Sequence, residues 1–227
     1  MSVQTNDGLV STPVFSVDAG NIRSYSGATW DDLIGTNDGT FPNGKAFDTG
    51  NGGAFLFDGV DEYALFSNTS TGWPVTMGCW VNPRDVGNSP TYMAQSDFSV
   101  ADKLFGFGSV LDGSNNRVFR IYTYNGSFFQ ALTTILNNTY TWYHIVGVFE
   151  SDTSKKLYIN GNLEATLTDT VTYPTGTDTL SLSSFQRSGS PSGGYLNGLI
   201  ARANVYNRAL NDEEVLQNYN QTKHRYL

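Results

Sequence analysis

From residue 54 to residue 185 the chain is a succession of short runs in which apolar and polar residues alternate, each closed by glycine, asparagine, aspartate or serine. A period of two sends successive side chains to opposite faces of an extended strand. A chain written this way must therefore bury one face of each strand against a second layer. The runs fall at 54–57, 63–66, 75–81, 104–111, 117–124, 128–133, 143–150, 156–159, 163–168 and 180–185. In 75–81 the alternation puts Val75, Met77, Cys79 and Val81 on one face. Between two of the runs, Asn160-Gly161 is the strongest hairpin signal, because both residues tolerate the positive φ that a type I′ turn requires.

Helix evidence is confined to the end. Asn211 can cap a helix, Glu214 stands three residues on as its reciprocal partner, and Asp212 and Glu213 suit the positive end of the helix dipole. A helix is expected over 212–219. Residues 31–53 are dense in Gly, Asn and Asp and read as a long structured loop, and 188–194 as a flexible one. With 227 residues, 24 glycines and only 15% charged side chains, the chain suits a single all-β sandwich, not a helical bundle. No internal repeat or linker divides it. The expected organisation is an N-terminal arm or edge strand over 1–13 and one domain over 14–227.

Segments 57–63 (FDGVDEY), 142–150 (WYHIVGVFE), 155–166 (KKLYINGNLEAT) and 198–210 (GLIARANVYNRAL), taken in order, resemble the concanavalin A-like lectin/glucanase superfamily in its laminin-G-like jelly-roll branch. The resemblance extends from about Val14 onward. It implies two stacked antiparallel sheets and a short C-terminal helix, in a family that binds surfaces and sugars and only sometimes catalyses. Residues 214–226 (EVLQNYNQTKHRY) are similar to the ending of jelly-roll modules in virion proteins of tailed phages. That narrower resemblance implies a place on a virus particle, as capsid decoration, fibre or tail surface. The partners would then be capsid or tail subunits and cell-surface glycans. The N-terminus lacks the basic and apolar regions of a secretory signal, so a particle component made in the host cytoplasm is expected.

Several function classes fit poorly. A net charge of −8 with 13 scattered basic residues opposes nucleic-acid binding. No apolar stretch approaches the length of a membrane span. Cys79 reads as a small core residue, and one cysteine makes no disulfide. Retaining glucanases need two carboxylates at close separation, which on a strand means even offsets. Glu62, Glu150, Glu164, Glu213 and Glu214 form no such pair, Asp58 and Glu62 share a turn, and Asp97 and Asp102 differ by an odd offset. His144 sits in a strand pattern as a structural histidine and His224 in a basic tail, with no nucleophile elbow near either. The expectation is a protein that is not an enzyme.

Binding residues are the remaining question. A sugar site needs a flat aromatic and amide or carboxylate partners, and the loop-end candidates are Trp73, Tyr92, Asn115, Tyr124, Asn125 and Tyr195. Trp80 and Trp142 are assigned to strand packing. No cofactor is required. Many relatives carry acids just after the isoleucine matching Ile200, where they support calcium, whereas this chain has Ala201 and Arg202. Calcium could instead use the Asp31, Asp32, Asn37 and Asp38 loop, against the plainer reading that these side chains serve their own backbone. Lys223, His224 and Arg225 could dock a partner electrostatically. Three readings stay open: a virion structural protein with glycan adhesion, a free bacterial lectin, and, least favoured, a polysaccharide-degrading enzyme.

Overall fold

The computed structural model describes residues 12–25, 27–85, 89–191 and 193–227. Most of the expected 1–13 arm lies outside these residues. Two antiparallel sheets stack as a sandwich, with the expected all-β jelly-roll architecture and one C-terminal helix. In chain order the strands are β1 (Phe15–Asp18), β2 (Ala46–Asp48), β3 (Ala54–Asp58), β4 (Ala64–Ser67), β5 (Val75–Pro83), β6 (Thr91–Ser96), β7 (Lys103–Leu111) and β8 (Arg117–Asn125). Then follow β9 (Phe128–Leu136), β10 (Tyr143–Ser151), β11 (Ser154–Ile159), β12 (Asn162–Leu167), β13 (Thr179–Leu182), β14 (Gln186–Arg187), β15 (Ser190–Pro191) and β16 (Asn197–Tyr206). The helix α1 spans Asp212–Thr222.

The larger sheet runs β12-β11-β10-β5-β16-β3-β2, with β1 on β16 beyond β3, and the smaller runs β4-β13-β6-β7-β8-β9. The expected face of β5 does point inward: Val75, Met77, Cys79 and Val81 join Phe15, Phe55, Phe105, Phe119 and Ile145 in the core. Burial pushes the Cys79 thiol well above the ordinary range, so it stays a neutral apolar side chain. Asn160 and Gly161 take φ 52° and 86° and close the β11–β12 hairpin. Thr91–Ser96, which had no strand signal of its own, forms β6 in the middle of the smaller sheet.

β5 is buried on both faces, and the second face is covered by the chain's own end. Asn211 accepts from the Glu214 amide (2.9 Å) while the Glu214 carboxylate accepts from the Asn211 amide (3.0 Å), the expected capping box. The helix outlasts the 212–219 expectation and runs into a 3-10 turn over Lys223–Arg225. Trp80 stacks on Tyr226 (4.2 Å between ring centroids) and donates its indole N–H to Thr222 Oγ1 (2.9 Å). Trp142 packs on the same Tyr226 and donates to Asn51 Oδ1 (3.1 Å). Val215 fills the next gap, among Val146, Val148, Tyr158 and Tyr206.

Arg225 was expected at a partner surface, and its guanidinium is consumed within the chain. It forks onto both oxygens of Asp18 (2.6 and 2.8 Å) and donates to the carbonyls of Asn51 (2.6 Å) and Gly53 (2.8 Å). The clamp presses the tail against Gly20, where any Cβ would meet the guanidinium and the Gly52 carbonyl. His224 is exposed, and Lys223 donates to Asn220 Oδ1 (2.8 Å) and lies over the Tyr219 ring (5.3 Å to its centroid).

Under α1, His144 lies in a recess lined also by Thr76, Trp80, Arg202 and Tyr206. Burial first, and the Arg202 charge second, hold its pKa at about 3, so it is neutral when folded. The packed, structural histidine expected from the strand pattern is what the fold contains.

Two measurements test this arrangement. Arg225→Ala leaves Asp18 without its partner and should cost roughly 2–3 kcal/mol in urea unfolding. Asp18→Asn together with Arg225→Ala should then cost clearly less than the sum of the single changes. The unfolded chain takes up a proton on His144 below about pH 6.5 that the folded chain refuses until about pH 3. His144 therefore lowers stability as pH falls through that window, by up to about 1.4 kcal/mol per pH unit. His144→Gln should flatten the wild-type slope between pH 7.5 and 5.5.

Candidate functional site

The C-terminal segment covers the centre of the larger sheet's outer face, and the smaller sheet's outer face is more open. In the smaller sheet Leu180, Leu182, Phe105, Phe107 and Ile121 point inward. By alternation and register, Ala94, Thr91, Arg120, Tyr122, Tyr124, Phe128, Gln130 and Leu132 point outward. Part of that face is roofed. Residues 183–191 and 193–196, expected in part as a flexible loop, fold back over it and carry the small β14–β15 ladder. The Gln186 amide donates to Ser96 Oγ (3.2 Å), the Thr91 amide to the Gly194 carbonyl (2.7 Å) and the Gly189 amide to the Phe98 carbonyl (2.6 Å). Ala94, Ser96 and Gln186 are wholly buried in consequence.

The roof stops short of β8 and β9. There Phe128 remains 45% exposed and Leu132 37%, and Gln130 is open to solvent. Tyr122 forms the floor. Its hydroxyl meets Thr91 Oγ1 (3.0 Å) across β7, which its ring can cross because β7 presents Gly106 and Gly108 at those positions. Phe128 stacks near Tyr122 (5.9 Å, 29°) and meets Tyr124 edge-on (5.8 Å, 84°). The Arg120 guanidinium lies 5.0 Å from the Tyr122 ring centroid. Its other contacts are long: Nη1 to Gln130 Oε1 (3.5 Å) and Nη2 to the Ser89 carbonyl (3.4 Å). The result is a rigid strip of rings, an amide and a guanidinium on adjacent strands. Such a strip can stack on the apolar face of a ring and hydrogen-bond its rim.

Of the expected sugar-binding residues, only Tyr124 and Asn125 lie in this strip, and Asn125 spends its amide on Thr172 Oγ1 (3.0 Å). Tyr92 is wholly buried, its hydroxyl accepting from Asn137 Nδ2 (2.5 Å). Trp73 packs inward against Phe105 and Phe149. Asn115 sits in the β7–β8 turn, at the opposite end of β8 from Tyr124. Tyr195 pairs with Tyr63 (6.4 Å). The other members of the strip, Arg120, Tyr122, Phe128 and Gln130, are strand residues outside the loop-end candidates. The even offsets of Arg120, Tyr122 and Tyr124 were the signal that could have found them.

The Asp31, Asp32, Asn37 and Asp38 side chains are engaged by the chain itself. Asp32 Oδ1 accepts from the Ser16 and Ile34 amides (3.1 Å each), Asp38 from the Asp32 amide (2.9 Å), and Asp31 from Thr29 Oγ1. Asn37 exchanges hydrogen bonds with the backbone of Ser67 (2.6 and 3.0 Å). Among the described residues no three His, Cys, Asp or Glu side chains are grouped to hold a metal ion. Asp58 Oδ1 accepts from the Val60 amide (2.8 Å) and Glu62 from the Asp58 amide (3.1 Å), so this carboxylate pair closes a turn. Asp97 accepts from Ser99. The Asp102 carboxylate is the main reason the Tyr124 phenol titrates above its ordinary value. Asp102→Asn should return it toward 10, read by ultraviolet absorbance titration against Tyr124→Phe.

Comparison with known proteins places this geometry. No curated protein sequence matches the chain. Among solved structures, domain 4 of AbnA, an extracellular arabinanase of Geobacillus stearothermophilus in complex with arabinotriose, aligns with a TM-score of 0.72 at 17% identity, over 92% of this chain and 98% of that one. A Trypanosoma rangeli sialidase in complex with the inhibitor DANA aligns at 0.67 and 15%, over 93% of this chain. The binding domain of botulinum neurotoxin DC in complex with SialylT aligns at 0.67 and 14%, also over 93%. The chain spans 33% of the sialidase and 52% of the toxin domain, and at these identities the likeness is one of fold. The sequence profile described as concanavalin A-like lectin/glucanases superfamily matches residues 57–216, from the end of β3 into α1. The chain belongs to that superfamily.

Proposed function

We infer that this protein is a non-enzymatic adhesive component of a virus particle, a jelly-roll module that holds glycans on the open half of its smaller sheet. The observation carrying the glycan reading is Phe128, an exposed ring held on a strand between Tyr124 and Gln130. An exposed aromatic on a rigid sheet offers a stacking surface at little conformational cost, and the amide and phenol beside it supply directional hydrogen bonds. The solved neighbours crystallised with arabinotriose, SialylT or N-acetylneuraminic acid are in keeping with a fold suited to sugars.

The particle reading is supported by the ending at 214–226, which resembles that of modules in tailed-phage virion proteins. In this chain the same ending is also the cover of the larger sheet, so it is framework first. Capsid or tail subunits would be the partners, and cell-surface glycans the external target. A free bacterial lectin would use the same strip. The non-enzymatic reading rests on the carboxylates: Asp58 with Glu62 serves a turn, Glu150 pairs with Lys156 (3.4 Å), and Glu214 pairs with Arg208 (2.7 Å).

On a glycan array the wild-type domain should bind a defined subset of glycans, and Phe128→Ala should weaken that binding at least tenfold with an unchanged thermal midpoint. Mass spectrometry of purified phage particles should find the chain at fixed copy number. Absence from particles with array binding intact would leave the lectin, and release of reducing ends from β-glucans or alginate would leave the enzyme.

A further inference from the structure

We propose that the strip on β8 and β9 selects glycans bearing a carboxylate, and that Arg120 is the residue that reads it. The proposal rests on the glycan reading and names the chemical class of ligand. Arg120 is half-buried on the outer face, directly opposite Leu132 on β9 and two residues from Tyr122 on its own strand. A guanidinium presents five N–H donors. Here two of them make contacts at 3.4 and 3.5 Å, the weak limit of a hydrogen bond, and both acceptors are neutral. The Nε–H is buried and meets no acceptor. No described carboxylate lies within ion-pair distance, although the protein carries 21 acidic residues against 13 basic ones.

Desolvation acts against the Arg120 cation, and only tyrosines, Tyr122 and Tyr92, stand nearby to oppose it. Contrast Arg225, whose fork is filled by Asp18 and two carbonyls. An arginine held on a rigid strand beside rings, with donors unfilled, is complementary to an anion arriving from outside. A planar carboxylate satisfies it best, because two parallel N–H···O bonds match the fork.

The surroundings restrict what carries that carboxylate. Phe128 is four residues of strand from Arg120 by register, roughly 13 Å along the sheet at about 3.3 Å per residue. A ligand using both must therefore stack a ring at one end and present its acid at the other. Gln130, facing Tyr122 midway, can bond hydroxyls between them. An acidic oligosaccharide has this layout, and a free carboxylate or inorganic anion does not. Uronic-acid and sialic-acid glycans share the chemistry, so the experiment carries both.

Isothermal titration of the full chain should use a tetragalacturonate, its carboxyl-reduced neutral counterpart, a sialyl trisaccharide and its desialylated form. The wild type should prefer at least one acidic ligand to its neutral counterpart by tenfold or more, and the preference should shrink as salt rises. Arg120→Gln should erase the preference while keeping the weaker neutral binding. Arg120→Lys, which keeps the charge and loses the fork, should restore only part of it, and Phe128→Ala should weaken acidic and neutral ligands alike. Equal affinity for acidic and neutral forms, or a preference that survives Arg120→Gln in a protein with wild-type melting, overturns the proposal while the glycan reading stands. Binding to none of the four ligands overturns the proposal, and the glycan array then decides the glycan reading separately.

Discussion

Trp80 stands on the outside of the larger sheet and yet is almost wholly buried, and the rest of the molecule follows from how that is achieved. Tyr226, Tyr219 and Thr222 close over it, Arg225 locks their segment onto Asp18, and the capping box starts the helix at the correct residue. A strand as apolar as β5 belongs in the middle of a sheet covered on both faces. Here one cover is the second sheet and the other is the chain's own last turn of helix and tail. The basic tail is thus a structural clasp, and its arginine is not free to face a partner.

The smaller sheet's outer face repeats the device only in part. The segment over 183–191 and 193–196 roofs β13 and β6 through backbone hydrogen bonds, and stops before β8. What it leaves open is the strip of Tyr124, Phe128, Gln130 and Arg120. The roof also supports that strip. Thr91, pinned by the Gly194 carbonyl, holds the Tyr122 hydroxyl, and Tyr122 is the floor on which Phe128 and Arg120 rest. Preorganisation of this kind matters for weak surface recognition, because side chains already ordered lose little entropy on binding.

Two arginines show how position changes the meaning of one residue type. Arg225 reaches a carboxylate and two carbonyls and becomes part of the framework. Arg120 reaches two distant neutral oxygens and a ring, which fixes its place without consuming its donors. The acidic residues show the same economy. Asp32, Asp38, Asp58 and Glu62 sit in turns and accept backbone amides, which organises their loops.

Period-two alternation, the Asn160-Gly161 turn and the Asn211–Glu214 box are local rules, and they were readable because each depends on neighbours in the chain. They determined most of the long strands from 54 onward, the hairpin, the helix start and the membership of Cys79 and Met77 in a core. β6 and β1 escaped notice because their strand character comes from the neighbours they pair with, β7 and β13 in one case and β16 in the other. The candidate site escaped for a related reason. Exposure of Phe128 and burial of Tyr92 are decided by where a remote loop ends and which way a bulged strand turns its side chains. Tertiary structure alone could place Arg225 on Asp18, more than two hundred residues away in sequence. Local pattern specifies which segments pair and bury a face; which face stays open depends on contacts between distant segments.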